Sequence, residues 1–190
     1  TPEEALISRL TLRSMKRARY TTENTGHFGL AAKYYTHFTS PIRRYPDLQI
    51  HRIIKENLRG RLNEDRIAHY EEILPKTAAQ CSDRERRAEE AEREVVKMKK
   101  AEYMRSRIGE EYDGVVSGVT GWGIYVELEN TVEGLVHVAD MKDDHYEFVE
   151  QNYEMTGTHT GKTYKLGQTV RVRVTDADKL MRTVNFEIVS

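Results

Sequence analysis

The 190-residue sequence has a single cysteine, Cys81. That excludes an internal disulfide and any zinc site built on two or more thiolates, and it fits a reducing cytoplasm. No apolar run approaches the roughly 18 residues that span a bilayer, and the opening TPEEALISRL lacks the basic and apolar regions of a secretory signal. The expectation is a cytoplasmic protein with no membrane partner. Aspartate is scarce in the first half, where only Asp47, Asp65 and Asp83 precede Gly109. Their even spacing along the chain cannot build one compact metal-binding loop. An initiating methionine is also missing: the chain opens on Thr1, as expected of an excised fragment and equally of processing or tag removal.

What is present divides in two. A hydrophobic content of 38% suffices to build cores. The formal charge of −1 hides an asymmetry: residues 1–108 hold 23 Lys/Arg against 16 Asp/Glu, and residues 109–190 hold 7 against 15. A basic half suits a polyanionic ligand, and a solvated helical surface explains the same charges equally well.

Up to about Arg107 the apolar residues recur at helical spacing; from about Glu111 they alternate in short runs rich in Val, Ile and Tyr. The boundary is placed near Ile108 and Gly109. In the first part, residues 2–20 read as a helix and 21–38 as an irregular segment. Ser40-Pro41 is expected to open a second helix, with serine as N-cap and proline at the first helical position, and Gly60 to close it. Residues 75–107, dense in Ala, Glu, Arg, Lys and Met, read as a long helix with a narrow packing face of Ala88, Ala91, Val95 and Met98. The second part reads as five strands, at Glu111–Val119, Gly123–Glu129, Val132–Val138, Thr169–Thr175 and Arg182–Val189, with the polar stretch 140–167 as loops holding at most a short helix. The fold class is α+β: a helical region followed by a five-stranded OB-fold β-barrel.

The run YDGVVSGVTGWGIYVELENTVEGLVHVADM, with the closing V-x-D-x-D-x-x-x-R, resembles the S-one RNA-binding domain over residues 109–190. Gly121 and Gly123 bracket Trp122, and Trp122 lies three residues from Tyr125. Stacking a base on an aromatic ring contributes about 1–3 kcal/mol and is indifferent to sequence. The resemblance implies an RNA-contacting set of Trp122, Tyr125, His137, Asp178 and Arg182; taken singly, each aromatic reads as core and His137 as an ordinary polar residue. With few basic residues, the barrel half is expected to bind RNA weakly by itself.

The string GHFGLAAKYYTHFTSPIRRYPDLQIHR, residues 26–52, resembles the catalytic domain of the RNase II and RNase R (RNB) superfamily of exoribonucleases, and GTHTGKTYKLGQ, residues 157–168, looks like the RNase R version of the barrel. Residues 1–108 then correspond to the C-terminal part of the catalytic domain. Hydrolysis of a phosphodiester calls for a divalent metal to activate water and a guanidinium to neutralise charge on the non-bridging oxygens. The resemblance implies Arg43 as the catalytic arginine, Glu92 as a site residue near the terminal nucleotide, and Arg44 and His51 as neighbours contacting RNA. The structural alternative pairs Arg43 with Asp47 at i+4 and leaves Glu92 as a solvated carboxylate.

The parent enzyme is expected to use Mg2+ held by a cluster of four upstream aspartates that this chain lacks. No metal ligand is assigned here, and no metal is expected on the fragment. The implied function is part of a processive 3′-to-5′ exoribonuclease yielding nucleoside 5′-monophosphates, with single-stranded RNA as partner and the fragment itself inactive. A stand-alone RNA-binding module with a helical dimerisation region is the alternative, and the sequence does not give the oligomeric state.

Overall fold

A computed structural model describes residues 7, 8, 11, 12 and 14–189. The chain divides into two compact units, one formed by Lys16–Ala91 and the other by Glu92–Ser190 together with the described residues before Lys16.

Ile7, Ser8, Thr11, Leu12 and Ser14 are helical, but residues 16–20 carry no helix, so the expected first helix stops short of Tyr20. In the Lys16–Ala91 unit, residues 21–44 are largely irregular, with one 3-10 turn at Phe28–Leu30 and a two-residue bridge between His27 and Ala32. Helix α1 spans Tyr45–Leu58. It does not open at Ser40-Pro41. A helix starting there would carry Pro46 in its interior, where the ring clashes with a carbonyl four residues back; starting at Tyr45 puts Pro46 in the first turn, where the missing N–H has no partner to lose. Ser40 instead closes a turn, its carbonyl accepting from Arg43 N–H (3.3 Å) and Arg44 N–H (3.0 Å). Gly60 lies just past the C-cap Arg59 with φ +64°, the left-handed position that favours glycine after a helix.

Helix α2 spans Glu64–Met104 and runs through Pro75. The expected start at Pro75 is therefore wrong by more than two turns. Asn63 caps the true start, its Oδ1 accepting from Arg66 N–H at 3.0 Å. Pro75 is exposed, so solvent can serve the carbonyl it leaves unpaired. The anticipated packing face also shifts: Ala88 and Ala91 are exposed, Val95 is 53% exposed, and Ala101 and Met104 near the C-terminal end are the side chains wholly buried.

In the other unit, β1 (Glu111–Thr120), β2 (Gly123–Leu128), β3 (Glu133–His137), β7 (Thr169–Asp178) and β8 (Thr183–Ile188) close a barrel in the order β1-β2-β3-β8-β7. All pairings are antiparallel except β3 with β8. A register shift between Val116 and Gly118 bends β1, so that one strand pairs with both β2 and β7. Ile124, Val126, Val136, Val172, Val174 and Phe186 fill the interior, joined in one cluster by Ala101 and Met104 of α2. The α+β class and the five-stranded OB-type barrel are as the alternating pattern implies.

Residues 140–167 are not loop. Strands β4 (Tyr146–Val149), β5 (Glu154–Gly157) and β6 (Thr163–Lys165) form a separate antiparallel sheet. At three or four residues each, they are too short for alternation to register against a polar background. Tyr146, Met155 and Tyr164 supply its buried side. Asp144 ties the loop ends: its carboxylate accepts from the N–H groups of His145 (2.7 Å) and Thr160 (2.7 Å) and from His159 Nδ1 (2.9 Å).

Candidate nucleic-acid interface

Trp122 occupies the β1–β2 turn, and Gly123 makes that turn possible. Its φ is +151°, and a Cβ there would lie 2.1 Å from the Val136 carbonyl oxygen, so only glycine lets β2 begin this close to β3. Gly123 pairs across with His137, and Val138 N–H donates to the Trp122 carbonyl at 2.9 Å. Trp122, Tyr125 and His137 are thereby gathered on neighbouring strands. Trp122 is 54% exposed, which removes the core reading of this ring. Its Nε1–H donates to Tyr125 Oη at 3.1 Å, fixing the two aromatics to each other. His137 is exposed, and its Nδ1 accepts from Ala139 N–H at 3.1 Å. In the neutral ring the proton then sits on Nε2, a donor turned to solvent.

Asp178 and Arg182 lie in the β7–β8 hairpin, on the strand pair next to β3. Asp178 Oδ1 accepts from Leu180 N–H (2.7 Å) and Met181 N–H (2.9 Å), so this carboxylate shapes the turn. Arg182 adopts φ +60° and forms an ion pair through Nε with Glu94 of α2 at 2.7 Å. Lys179, in the same hairpin, pairs with Glu102. Glu94, Glu102 and Lys179 were not singled out from sequence; pairings between residues so far apart along the chain leave no local pattern.

The arginine-bearing turn belongs to the Lys16–Ala91 unit. Asp47 is fully buried and accepts from Ser40 N–H and from Arg44 Nη2, each at 2.8 Å. Burial pushes the Asp47 carboxyl up, but the Ser40 N–H and the Arg44 guanidinium outweigh it and hold the group below the ordinary aspartate range. Arg44, not Arg43, is the partner of Asp47. Arg43 is exposed in the turn before α1, not inside the helix, and makes no ion pair with a described residue. His51 stacks on Phe38 (ring centroids 4.3 Å, 4° apart) while its Nε2 donates to the Phe38 carbonyl at 2.9 Å, which fastens the preceding segment to α1. Nearby in the same unit, burial and Glu85 push the Tyr20 hydroxyl up to about 12. Glu92 is exposed on α2 in the other unit, without an ion pair to a described residue.

Among the described residues, no group of three or more His, Cys, Asp or Glu is placed to hold a metal ion. Asp47 is committed to Arg44, and Asp83 pairs with Arg86 at 3.1 Å. These residues do not fit a magnesium centre. No helix among the described residues is long and apolar enough to cross a membrane.

Comparison with known proteins matches two family models to separate stretches of the chain. Residues 1–60 match the RNB domain, and residues 105–188 match the S1 RNA binding domain. The chain is 48% identical over 186 residues to ribonuclease R 1 of Lactococcus lactis, covering 98% of this chain and 23% of that protein. It is 42% identical over 198 residues to ribonuclease R of Escherichia coli, covering 100% of this chain and 24% of that protein. The solved apo form of Mycoplasma genitalium RNase R superposes with a TM-score of 0.89 at 27% identity, covering 99% of this chain and 30% of that one. The same protein solved in complex with ribose methylated single-stranded RNA gives equal values. The chain thus joins the end of an RNB domain to an S1-type barrel. Along nearly its whole length it is similar to ribonuclease R, and it spans about a quarter of the length of the curated relatives it matches.

Proposed function

We propose that the barrel binds single-stranded RNA by stacking bases on Trp122 and Tyr125, with His137 Nε2–H and the hairpin residues Asp178 and Arg182 contacting the strand. Residues 109–190 form the RNA-binding module in this reading, and residues 1–108 are the end of the catalytic domain. The single observation that carries it is a half-exposed tryptophan hydrogen-bonded to a tyrosine beside an exposed histidine, on an S1-type barrel. Rings fixed to each other lose little freedom when a base docks, so stacking is gained at small entropic cost. Trp122→Ala should weaken binding of oligoadenylate by about 1–3 kcal/mol, roughly 5- to 150-fold, in fluorescence titration. Unchanged affinity would remove Trp122 from the site.

The whole protein, on this reading, is a cytoplasmic 3′-to-5′ exoribonuclease that degrades RNA processively to nucleoside 5′-monophosphates with divalent metal, magnesium by the chemistry. Arg43 would meet a phosphate at the reacting end, since an exposed guanidinium without an ion pair to a described residue is a ready partner for a phosphate oxygen. Arg44 and His51 hold the turn that presents it, and Glu92 lies toward the terminal nucleotide. Among the described residues no carboxylate cluster is placed to position metal, and loss of a catalytic unit removes most of an enzyme's rate. Incubated with poly(A) and magnesium, it should release no nucleoside monophosphate above a no-protein blank; measurable release would refute this.

A further inference from the structure

Both cations of the turn between β7 and β8 are already engaged. Arg182 forms an ion pair through Nε with Glu94 Oε2 at 2.7 Å, and Lys179 donates to Glu102 Oε1. Neither pair is needed to close the hairpin, because Asp178 does so by accepting from Leu180 and Met181, and the β7–β8 register runs to Asp178 opposite Thr183. Nor are the pairs needed to anchor the end of α2, where Ala101 and Met104 are wholly buried in the barrel cluster. The four side chains are 36–48% exposed, and ion pairs so open to water stabilise a fold little. Their larger consequence is what they withhold from a polyanion. Glu102 is shared between Lys179 and Lys99 (2.8 Å), whose hydrogen bonds bring its carboxyl down to about 2, so it is ionised at every working pH.

We propose that Glu94 and Glu102 act as an internal substitute for RNA phosphates, occupying Arg182 and Lys179 so that an incoming strand must displace them before it gains those contacts. The inference rests on the reading of this barrel as RNA-binding and explains how it would be tuned: the last turns of α2 lower its affinity. A carboxylate and a phosphate oxygen compete for the same N–H donors, and only a cation released from its carboxylate can displace counter-ions from the nucleic acid. Arg182 offers the sharper competition, since one edge of its guanidinium faces Glu94 while its remaining donors can begin the exchange.

The test is anisotropy titration of a labelled oligoadenylate with the whole chain across a salt series, with circular dichroism confirming the fold of each variant. Glu94→Gln should tighten binding about threefold and Glu94→Gln with Glu102→Gln about tenfold, and each freed cation should steepen the slope of log K against log salt by about 0.7. In an Arg182→Ala background the gain from Glu94→Gln should vanish. Glu90→Gln, at an exposed helix position, controls for bulk charge and should change little. Equal or weaker binding by the double variant would overturn the proposal, as would a Glu94→Gln gain that survives Arg182→Ala or is matched by Glu90→Gln. Trp122→Ala, run alongside, separates the two readings: full affinity there, with the Glu94–Arg182 coupling intact, removes the aromatic face and keeps the clamp.

Discussion

Two turns in this chain carry an arginine expected at RNA, and each is shaped by an aspartate that accepts backbone N–H groups. Around Ser40–Arg44 the aspartate is Asp47, fully buried, and it also takes the guanidinium of Arg44. Around Asp178–Arg182 the aspartate is half-buried and spent on backbone, and the arginine is taken by a glutamate from another element. The first turn pairs Asp47 with Arg44 inside and leaves Arg43 outside without an ion pair to a described residue. The second leaves its charges at the surface and engages every cation. Counting basic residues therefore says little about affinity for a polyanion; which of them are spoken for, and how deeply, decides it. Breaking the inner pair should cost stability, and breaking the outer pair should change binding.

The largest expected effect is at Asp47. Removing one partner of a buried ion pair strands the other, and Asp47→Asn should destabilise the Lys16–Ala91 unit by about 3–5 kcal/mol in urea denaturation. The pH dependence has a definite sign. A carboxyl held below its unfolded value contributes stability that is complete above the ordinary aspartate pKa of about 3.9 and is lost as pH falls through the lower folded value. The gap between wild type and Asp47→Asn should accordingly be full near neutrality and narrow in strong acid. A gap that stays constant to low pH would mean that packing, not charge, makes the difference. Trp122→Ala is the counterpart in the other region: a smaller free-energy change, appearing in RNA titration and not in denaturation.

The sequence spoke most clearly where side chains alternate. The five barrel strands fall within a few residues of their expected limits, because Val, Ile and Phe at every second position face one interior and the intervening residues face out. Gly60 was readable for a local reason as well, since a residue with φ near +64° at the end of α1 favours glycine. Other features needed more than local pattern. Asn63-Glu64-Asp65 is a good helix start, yet Pro75 reads as the stronger boundary until its exposure is known. Strands β4 to β6 are too short to show a period. At the candidate site the aromatics and His137 were legible as a set, whereas the commitment of Arg44 to Asp47 and of Arg182 to Glu94 depends on backbone geometry that no spacing reveals.

The same distinction runs along α2 and gives the smallest effect. The apolar positions Val95 and Met104 are nine residues apart, two and a half turns and so on opposite faces of the helix; Val95 is 53% exposed and Met104 is 0% exposed within the barrel cluster. Met104→Ala should lose about 2–5 kcal/mol, the transfer of the thioether chain plus the cavity left among barrel side chains. Val95→Ala should change stability by less than about 0.5 kcal/mol, and the higher helix propensity of alanine can turn even that small change favourable. Thermal denaturation of the two variants side by side checks the contrast. A loss of comparable size at Val95 would restore the packing face that the sequence pattern implied and would contradict the exposure found there, since an open valine has no cavity to leave behind.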